Sequence, residues 1–271
     1  MRTNYTLMKN LKFAIIGAGN IGSAIVEGFL KTGIIKPENI FITDQRPEPL
    51  EYFKAKGLQT GKDNFTAVAF ADFVIIAVKP YIVKSVLEEI KSKLVDSKHV
   101  LISIAAGISI KNIEEVTGRM PIFRTIPNTA IAVQESMTFI TEANSTKEQQ
   151  DMVQQIFNQL GSTMFISEDM MNAATVIGSC GTAFVMRFIR ASVEGGVQIG
   201  FKPEVAQQII SQTALGAAKL LLETNGHPEQ EIDKVATPNG MTIMGLNEME
   251  HNGFSSSVIK GVMAAYHRVS R

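Results

Sequence analysis

The chain has 271 residues, of which 45% are hydrophobic, enough for one large domain or two modest ones with buried cores. Its 26 basic residues balance 26 acidic residues, so the zero net charge gives no sign of affinity for nucleic acid or for a membrane surface. The single cysteine, Cys180, excludes an intrachain disulfide and favours a reducing cytoplasm.

The N-terminus lacks the apolar core of a signal peptide. Met8 offers a second start, so residues 1–7 are expected to form a loose tail. The longest apolar runs, such as residues 73–78, have the length of a strand and are far shorter than a membrane span. We therefore expect a soluble cytoplasmic protein without a membrane partner.

The first part of the chain alternates short apolar runs with amphipathic segments. Apolar strands that alternate with helices predict an α/β fold with a mostly parallel sheet, covered by helices on both faces. The predicted strands are residues 12–17, 40–43, 73–78, 99–104, 122–125, 137–141 and 163–166, and the predicted helices are residues 20–31, 47–56, 82–94, 109–116 and 146–160.

After residue 167 the pattern changes, and only helices rich in alanine, methionine and other small residues are predicted. The sequence therefore predicts two domains, a sheet domain over residues 1–167 and an all-helical domain over residues 168–271. The predicted helices of the second domain are residues 170–193, 203–222, 241–250 and 257–271.

A G-x-G-x-x-G motif follows the first predicted strand directly and opens the first predicted helix, which is the context that a dinucleotide-binding motif needs. Its glycines let the backbone turn tightly and let a pyrophosphate approach, while the helix N-terminus offers unpaired N–H groups to the phosphates. The alternative is a glycine turn that binds no ligand. The predicted cofactor-binding residues of this loop are Gly17, Gly19, Asn20, Ile21 and Gly22.

Two charged residues follow the second predicted strand, at the position that meets the adenine ribose of a bound dinucleotide. Asp44 favours the free 2′-hydroxyl of NADH, whereas Arg46 suits the 2′-phosphate of NADPH because a guanidinium binds phosphate well. Both residues are also consistent with an ordinary turn before Pro47. The sequence predicts NADPH as the cofactor, with NADH as the alternative.

Three later strands end in segments that suit a cofactor crevice, because ligands of open α/β sheets lie beyond the carboxyl ends of the strands. Lys79 could meet phosphate or ribose, although a solvated lysine in a turn is the ordinary alternative. Small residues at the next strand end leave room for a flat nicotinamide ring. The predicted cofactor-binding residues are Ala77, Val78, Lys79 and Pro80 after one strand and Ser103 and Ala105 at the next. Asn128, after the third strand, offers an amide at the same rim and is predicted to bind the substrate.

A further polar segment precedes the predicted helix at residues 241–250. Threonine followed by proline predicts a helix start, with Thr237 as the N-cap and Pro238 as the first helical residue. Asn239 and Gly240 expose backbone N–H groups without bulk, and such a helix N-terminus suits a substrate carboxylate. An ordinary helix cap is the alternative. The predicted substrate-binding residues here are Thr237, Asn239, Gly240, Met241 and Thr242.

Other candidate chemistry is sparse. The four histidines show no metal-ligand spacing, so no metal site is predicted. Cys180 has no histidine near it in sequence, and we interpret it as a small residue in a packed helix.

Taken together, these segments resemble the pyrroline-5-carboxylate reductase family over almost the whole chain. The motifs occur in the family's order, and the most specific block is the polar segment with the residues that follow it. The matching segments are residues 15–22, 78–80, 103–108, 127–129, 237–243, 245–246 and 253–254.

The resemblance implies a Rossmann-like, mostly parallel sheet domain followed by an all-helical dimerisation domain that interlocks with a second subunit. It implies NAD(P)H-dependent reduction of the cyclic imine Δ1-pyrroline-5-carboxylate to L-proline by a homodimer, with a ring of dimers as a larger assembly. The Thr242 hydroxyl would act at this small-molecule substrate, and Asn128, Ser103 and Ala105 would lie near the nicotinamide.

Some residues depart from the family pattern. Residues 178–184 read Gly-Ser-Cys-Gly-Thr-Ala-Phe where the family commonly has Ser-Gly-Ser-Gly-Pro-Ala-Tyr, so Thr182 and Phe184 replace a proline and a tyrosine. Arg190 stands where an acidic residue is usual. Two further departures are Asn239 for a glycine and Met241 for a threonine.

Two other functions fit parts of the pattern. A β-hydroxyacid dehydrogenase shares the plan of a sheet domain followed by helices, but it usually needs a lysine in the long helix between them. The predicted helix at residues 170–193 contains Arg187 and Arg190 and no lysine. A nucleotide-sensing protein without catalysis is the other alternative, and turnover of the imine distinguishes it from an enzyme.

Overall fold

The computed structural model describes residues 10–269, so the loose tail expected at residues 1–7 lies outside the described residues. The chain forms two compact units, which divide between Ser179 and Cys180.

The first unit contains one eight-stranded sheet with the order β3-β2-β1-β4-β5-β6-β7-β8. All neighbouring strands are parallel except β6 and β7, so the predicted mostly parallel sheet is confirmed. The strand order reverses between β1 and β4, and ligands of such sheets bind beyond the carboxyl ends at this reversal. The strands are β1 (Phe13–Ile16), β2 (Ile40–Thr43), β3 (Gln59–Gly61), β4 (Phe73–Ile76), β5 (Val100–Ser103), β6 (Ile122–Ile126), β7 (Ser136–Ala143) and β8 (Gly161–Phe165).

Six helices connect these strands, and five of them match predicted helices. β3 and the seven-residue helix after it were not predicted, because neither contains an apolar run long enough to show a period. Asp63 caps that helix by accepting a hydrogen bond from the backbone N–H of Phe65 (3.0 Å). The helices are α1 (Asn20–Thr32), α2 (Pro47–Ala55), α3 (Asn64–Phe70), α4 (Pro80–Ile90), α5 (Ile110–Thr117) and α6 (Lys147–Asn158).

Two apolar cores cover the two faces of the sheet. Alternate residues of β1 point to opposite sides, so Phe13 packs in the core that contains Phe29 of α1, whereas Ile16 packs in the core that contains Leu87 of α4. Each fully buried Phe, Ile or Leu side chain contributes about 1.5–3 kcal/mol to folding. These cores hold the carboxyl ends of β1, β4, β5 and β6 rigidly side by side at one edge.

The predicted helix at residues 170–193 is not one regular helix. A short helix, α7 (Met171–Ala174), leads into a π-helical turn (Thr175–Cys180), and α8 (Gly181–Gln198) follows. Periodicity could not predict this interruption, because a π-helical turn shifts the register by only one residue.

The second unit consists of α8 and four further helices. The polar α10 was not predicted, and α12 begins three residues before its predicted start at Ser257. Residues 270–271 at the end of that predicted helix lie outside the described residues. The further helices are α9 (Pro203–Thr224), α10 (Pro228–Val235), α11 (Met241–His251) and α12 (Phe254–Val269).

The second unit has almost no core of its own. Among its described residues only Val193 and Ala206 are buried, whereas large apolar side chains such as Ile199 (78% exposed) and Leu222 (80% exposed) face outward. An exposed apolar surface of this extent marks an interaction site. The helices of this unit therefore require cover that one copy of the chain does not supply.

One helical stretch of the described chain, Glu168–Gln198, is long and apolar enough to cross a membrane by length and composition, with a mean hydropathy of 1.3. The expectation that no segment reaches this length was therefore wrong. Polar residues such as Asn172, Thr175, Ser179 and Thr182 divide the stretch into short apolar runs, which hid its overall hydropathy in the sequence. A helix that packs against another protein chain has the same composition, so this one helix is weak evidence for a membrane.

Candidate active site

The glycine loop lies between the end of β1 and the start of α1, as predicted. Gly17 has a φ of +107°, and a Cβ atom added there would lie 2.7 Å from the carbonyl oxygen of Ala77. A Cβ atom at Gly22 would lie 2.1 Å from the carbonyl oxygen of Gly17. The fold therefore requires both of these glycines, because neither position has room for a side chain.

Gly19 is different from its two neighbours in the motif. Its φ of −75° suits any residue, and a Cβ atom added there would meet nothing within 4 Å. Gly19 is the N-cap of α1 and provides no side-chain cap, so the first N–H groups of this 13-residue helix receive no hydrogen bond from a capping side chain. Glycine is a common N-cap residue, but no steric contact requires it here, whereas a pyrophosphate that approaches the helix N-terminus would.

Asp44 and Arg46 form a salt bridge beside this loop. The Asp44 carboxylate accepts hydrogen bonds from the backbone N–H of Ala18 (2.8 Å) and from Arg46 Nε (2.9 Å), and Arg46 Nη2 also donates to the Ala18 carbonyl (2.9 Å). Burial alone would raise the pKa of the Asp44 carboxyl, but the hydrogen bonds from Arg46 and Ala18 outweigh it and lower that pKa. Asp44 is therefore an anion whose oxygens are already engaged.

The pair leaves Arg46 accessible just beyond the end of β2. Its side chain remains 60% exposed, compared with 12% for the Asp44 side chain. The structure thus places Arg46, rather than Asp44, where an incoming group would meet it first.

A buried polar pair next to this corner was missed by the sequence analysis. The Thr43 hydroxyl donates to Asn64 Oδ1 (2.6 Å), and Asn64 Nδ2 donates to Glu89 (3.0 Å). These bonds join the end of β2 to α3 and α4. No sequence signal could have identified Asn64, because α3 itself was not predicted.

The loops after β4, β5 and β6 come to the same edge of the sheet as the glycine loop, as predicted. Lys79 is exposed and precedes Pro80, the first residue of α4, while Ala77 contacts the glycine loop as described above. Ser103 and Ala105 are both buried, and the Ala105 N–H donates to the Ser103 hydroxyl (3.4 Å).

Asn128 lies directly beyond β6 and is buried, and its polar atoms already have partners. Its Nδ2 donates to the carbonyl of Gly178 (3.0 Å), its Oδ1 accepts from the N–H of Ala130 (2.9 Å), and its backbone N–H donates to the Ser136 hydroxyl (3.1 Å). The side chain therefore supports the end of the sheet from within.

The polar segment before α11 forms a tight turn in the second unit. The Gly240 N–H donates to the Thr237 carbonyl (2.9 Å), Pro238 follows Thr237, and Asn239 has a φ of +57°. Proline at the second position and a positive φ at the third define a type II turn, which favours glycine or asparagine there. This explains why Asn239 can stand where the family usually has glycine.

The helix start predicted at Thr237 and Pro238 was wrong. Helix α11 begins at Met241, with Gly240 as an N-cap that offers no side-chain hydrogen bond. A local sequence pattern could not distinguish a proline in the first helical turn from a proline in a turn just before the helix. The first N–H groups of α11 therefore have no side-chain cap, and both Met241 and Thr242 are exposed beside them.

The described residues contain no group of three or more His, Cys, Asp or Glu side chains that could hold a metal ion.

Comparison with known proteins covers both units. Residues 168–271 match the family described as "Pyrroline-5-carboxylate reductase dimerisation", and residues 12–107 match "NADP oxidoreductase coenzyme F420-dependent". "Pyrroline-5-carboxylate reductase 2" of Dictyostelium discoideum is 40% identical over 98% of this chain and 94% of its own length. The chain belongs to the pyrroline-5-carboxylate reductase family. The predicted resemblance is therefore confirmed.

Other members of the pyrroline-5-carboxylate reductase family agree. The enzyme of Methanosarcina acetivorans is 36% identical over 96% of this chain and 97% of its own length. A crystal structure of Plasmodium falciparum pyrroline carboxylate reductase with NADP bound has a TM-score of 0.88 and 32% identity, and it covers 97% of this chain and 98% of its own chain. The predicted fold class is confirmed, and the dimerisation match covers the exposed apolar helices of the second unit, which indicates a homo-oligomer.

We predict that Gly19→Val weakens dinucleotide binding without unfolding the protein. A side chain would fill the space in front of α1, and overpacking of about 1–3 kcal/mol corresponds to about a 5- to 150-fold loss of affinity. Titration with NADPH, with circular dichroism as the fold control, measures this. Gly22→Val is the comparison variant. It should disturb the fold as well as binding, because its side chain would collide with the backbone of Gly17. Unchanged NADPH affinity in Gly19→Val would refute the assignment of the loop.

We also predict that Arg46→Ala raises the Michaelis constant for NADPH about tenfold or more, which corresponds to the loss of a hydrogen bond between charged groups. The Michaelis constant for NADH should stay the same or fall, because Asp44 loses a partner and can accept a ribose hydroxyl. Steady-state kinetics with both cofactors tests this. Arg119→Ala is the matched control, since Arg119 precedes β6 at the opposite edge of the sheet. Equal effects on NADPH and NADH would show that Arg46 does not recognise the phosphate.

Proposed function

We propose that this chain reduces Δ1-pyrroline-5-carboxylate to L-proline with NADPH as the hydride donor. The observation that carries the proposal is the kinship over nearly the full chain with proteins named pyrroline-5-carboxylate reductase. The open space at Gly19 supports the use of a dinucleotide, since no contact with the described residues requires a glycine there.

The chain itself acts mainly by positioning. When bound, the reduced nicotinamide supplies the hydride, which the imine carbon accepts. A protonated imine is already electrophilic, so the ring nitrogen keeps its proton and becomes the amine without a strong acid from the protein. This agrees with a site that has no histidine or lysine in an evident acid–base position.

The substrate carboxylate is assigned to the N-terminus of α11. Uncapped N–H groups and the helix dipole attract an anion there, and the type II turn keeps bulk away because Gly240 lacks a side chain. A Cβ atom at Gly240 would lie 2.5 Å from the Thr237 hydroxyl oxygen. In this assignment the Thr242 hydroxyl orients the ring nitrogen, and Asn239 and Met241 border the carboxylate.

The cofactor is assigned to the carboxyl edge of the sheet. Residues of the glycine loop (Gly17, Gly19, Asn20, Ile21 and Gly22) would hold the pyrophosphate, and residues 77–80 would border the adenosine half. Ser103, Ala105 and Asn128 would border the nicotinamide half. Arg46 supports NADPH rather than NADH, because Asp44 has already engaged its oxygens with Ala18 and Arg46.

A β-hydroxyacid dehydrogenase remains the rival oxidoreductase, but residues 168–198 contain no lysine to serve as its acid–base group. The other alternative is not an enzyme but a protein that senses the nucleotide without catalysing a reaction. Oxidation of NADPH in the presence of the imine, measured beside NADH, separates both rivals from the proposed reductase.

We place the functional boundary after residue 167, where the dimerisation match begins, although the first compact unit continues to Ser179. The chain is assigned to the cytoplasm, with no nucleic-acid or membrane partner.

The homo-oligomer is proposed to be an obligate dimer that covers the apolar helices of the second unit, with a ring of dimers as the larger assembly. Small residues of α9 (Ala214, Gly216, Ala217 and Ala218) permit close approach of helices. We predict that sedimentation at low micromolar concentration detects dimers or multiples of dimers and no active monomer. A stable, active monomer would contradict the proposed dimer.

We predict that Thr242→Val lowers catalytic efficiency with the imine. The change keeps the branched shape and removes one hydroxyl, so the loss should be about 1.5–3 kcal/mol, which corresponds to about 10- to 150-fold. NADPH affinity should barely change. Thr117→Val, in which a helical threonine of the first unit loses a hydroxyl bonded to its own helix, is the matched control.

The assay for Thr242→Val is steady-state kinetics paired with thermal melting of the same preparation. A variant with normal efficiency and a lower melting temperature would show that Thr242 only supports the helix. A wild-type protein that binds NADPH but does not turn over the imine would refute the proposed reaction itself.

A further inference from the structure

The segment of residues 168–179, here called the strap, is held to the sheet at both of its ends. At its start, the Glu168 carboxylate accepts a hydrogen bond from Arg124 Nη1 of β6 (2.7 Å) and another from the backbone N–H of Ile110 (2.7 Å). The Arg124 side chain is only 6% exposed, whereas the Glu168 side chain is 37% exposed, so this ion pair is shielded from water on the arginine side. The start of the strap is therefore tied to β6 and to the first residue of α5.

The end of the strap is tied to the residues just beyond β6. Asn128 Nδ2 donates to the Gly178 carbonyl (3.0 Å), and the Ser179 hydroxyl donates to the Pro127 carbonyl (3.0 Å). Two adjacent residues of the strap thus exchange two hydrogen bonds with two adjacent residues at the end of the sheet. Both bonds fall within the π-helical turn (Thr175–Cys180), and such turns occur frequently at functional sites.

Close packing explains two of the departures from the family pattern. A Cβ atom at Gly178 would lie 2.5 Å from the ring of Phe139, so this position requires glycine where the family commonly has serine. Ser179 stands where glycine is common, and its hydroxyl makes the bond to Pro127. The two residues have exchanged places relative to the family pattern, and the exchange produces this contact.

We propose that Asn128 and Ser179 are positioning residues that lock the strap against the end of β6 and so hold the border of the nicotinamide half of the site. This inference rests on the proposed function, which assigns the nicotinamide to that edge. Hydride transfer depends steeply on distance and alignment, so a small displacement of this border lowers the rate of the chemical step. Neither residue needs to touch the substrate for this effect.

The first test compares Ser179→Ala with Ser179→Thr, which retains the hydroxyl. Ser179→Ala should lower kcat about three- to tenfold, which is the effect of one lost hydrogen bond, while Ser179→Thr should restore most of the activity. The dissociation constant for NADPH should stay within about twofold of wild type, because the phosphate contacts lie elsewhere. Ser85→Ala is the matched control, since its hydroxyl donates to a helix carbonyl in the same way (2.8 Å) and lies outside the proposed site.

The second test uses Asn128→Asp, which keeps an oxygen for the Ala130 N–H and removes the donor to Gly178. In the double variant with Ser179→Ala, the fold-decrease in kcat should be smaller than the product of the two single decreases, because both bonds hold the same contact. With NADPH deuterated at the transferred hydrogen, the kinetic isotope effect on kcat should be larger in each variant than in wild type, because hydride transfer becomes slower.

A Ser179→Ala variant with wild-type kcat and isotope effect would overturn the proposal, as would a loss equal to that of Ser85→Ala. A lower melting temperature with unchanged kcat would show that the contact serves stability alone. If wild-type protein binds NADPH but does not turn over the imine, the proposed function fails, and the positioning role fails with it. Turnover in wild type with no effect in Ser179→Ala refutes only the positioning role.

Discussion

The first unit depends on one tight backbone contact. The loop after β1 packs directly against the start of α1 and against the residue that follows β4. Gly17 takes a positive φ next to Ala77, and Gly22 packs its backbone against the Gly17 carbonyl. These contacts aim the N-terminus of α1 at the open space beside Gly19. Because the parallel strands hold their carboxyl ends side by side, the loops after β4, β5 and β6 reach the same edge. The proposed cofactor site at this edge is therefore shaped by the backbone rather than by a reactive side chain.

The second unit differs from the first in having almost no buried core of its own. With two buried residues among those described, its helices gain little from burial within one copy, and their stability depends on a partner. Folding and assembly are therefore linked for this part of the chain. The proposed carboxylate site at α11 belongs to the same unit, so a change that weakens assembly should also lower activity. The first unit has two cores of its own and does not share this dependence.

The end of β6 supports the proposed cofactor edge and also binds the strap. Arg124 within β6, together with Pro127 and Asn128 just after it, binds both ends of the strap, so this strand supports the proposed cofactor edge and also fixes the last residues of the first unit. Buried polar groups are tolerated at this edge because nearly all have partners. Thr125 is the exception among the described residues, since its buried hydroxyl has no hydrogen-bond partner. A polar network of this kind favours one arrangement over others more than it adds stability.

The sequence by itself determined the alternating strands and helices, the glycine loop, Asp44 with Arg46, and the polar segment before α11, because each depends on residues close together in the chain. Those features, together with the motif order, were also sufficient to predict the family. Only the tertiary structure decided that Gly19 alone among the motif glycines faces open space, and that Thr237 and Pro238 form a turn instead of a helix start. It also decided that Asn128 is engaged with Gly178, 50 residues away along the chain. Such contacts depend on which distant segments pack together, and no local pattern of residue types encodes that choice.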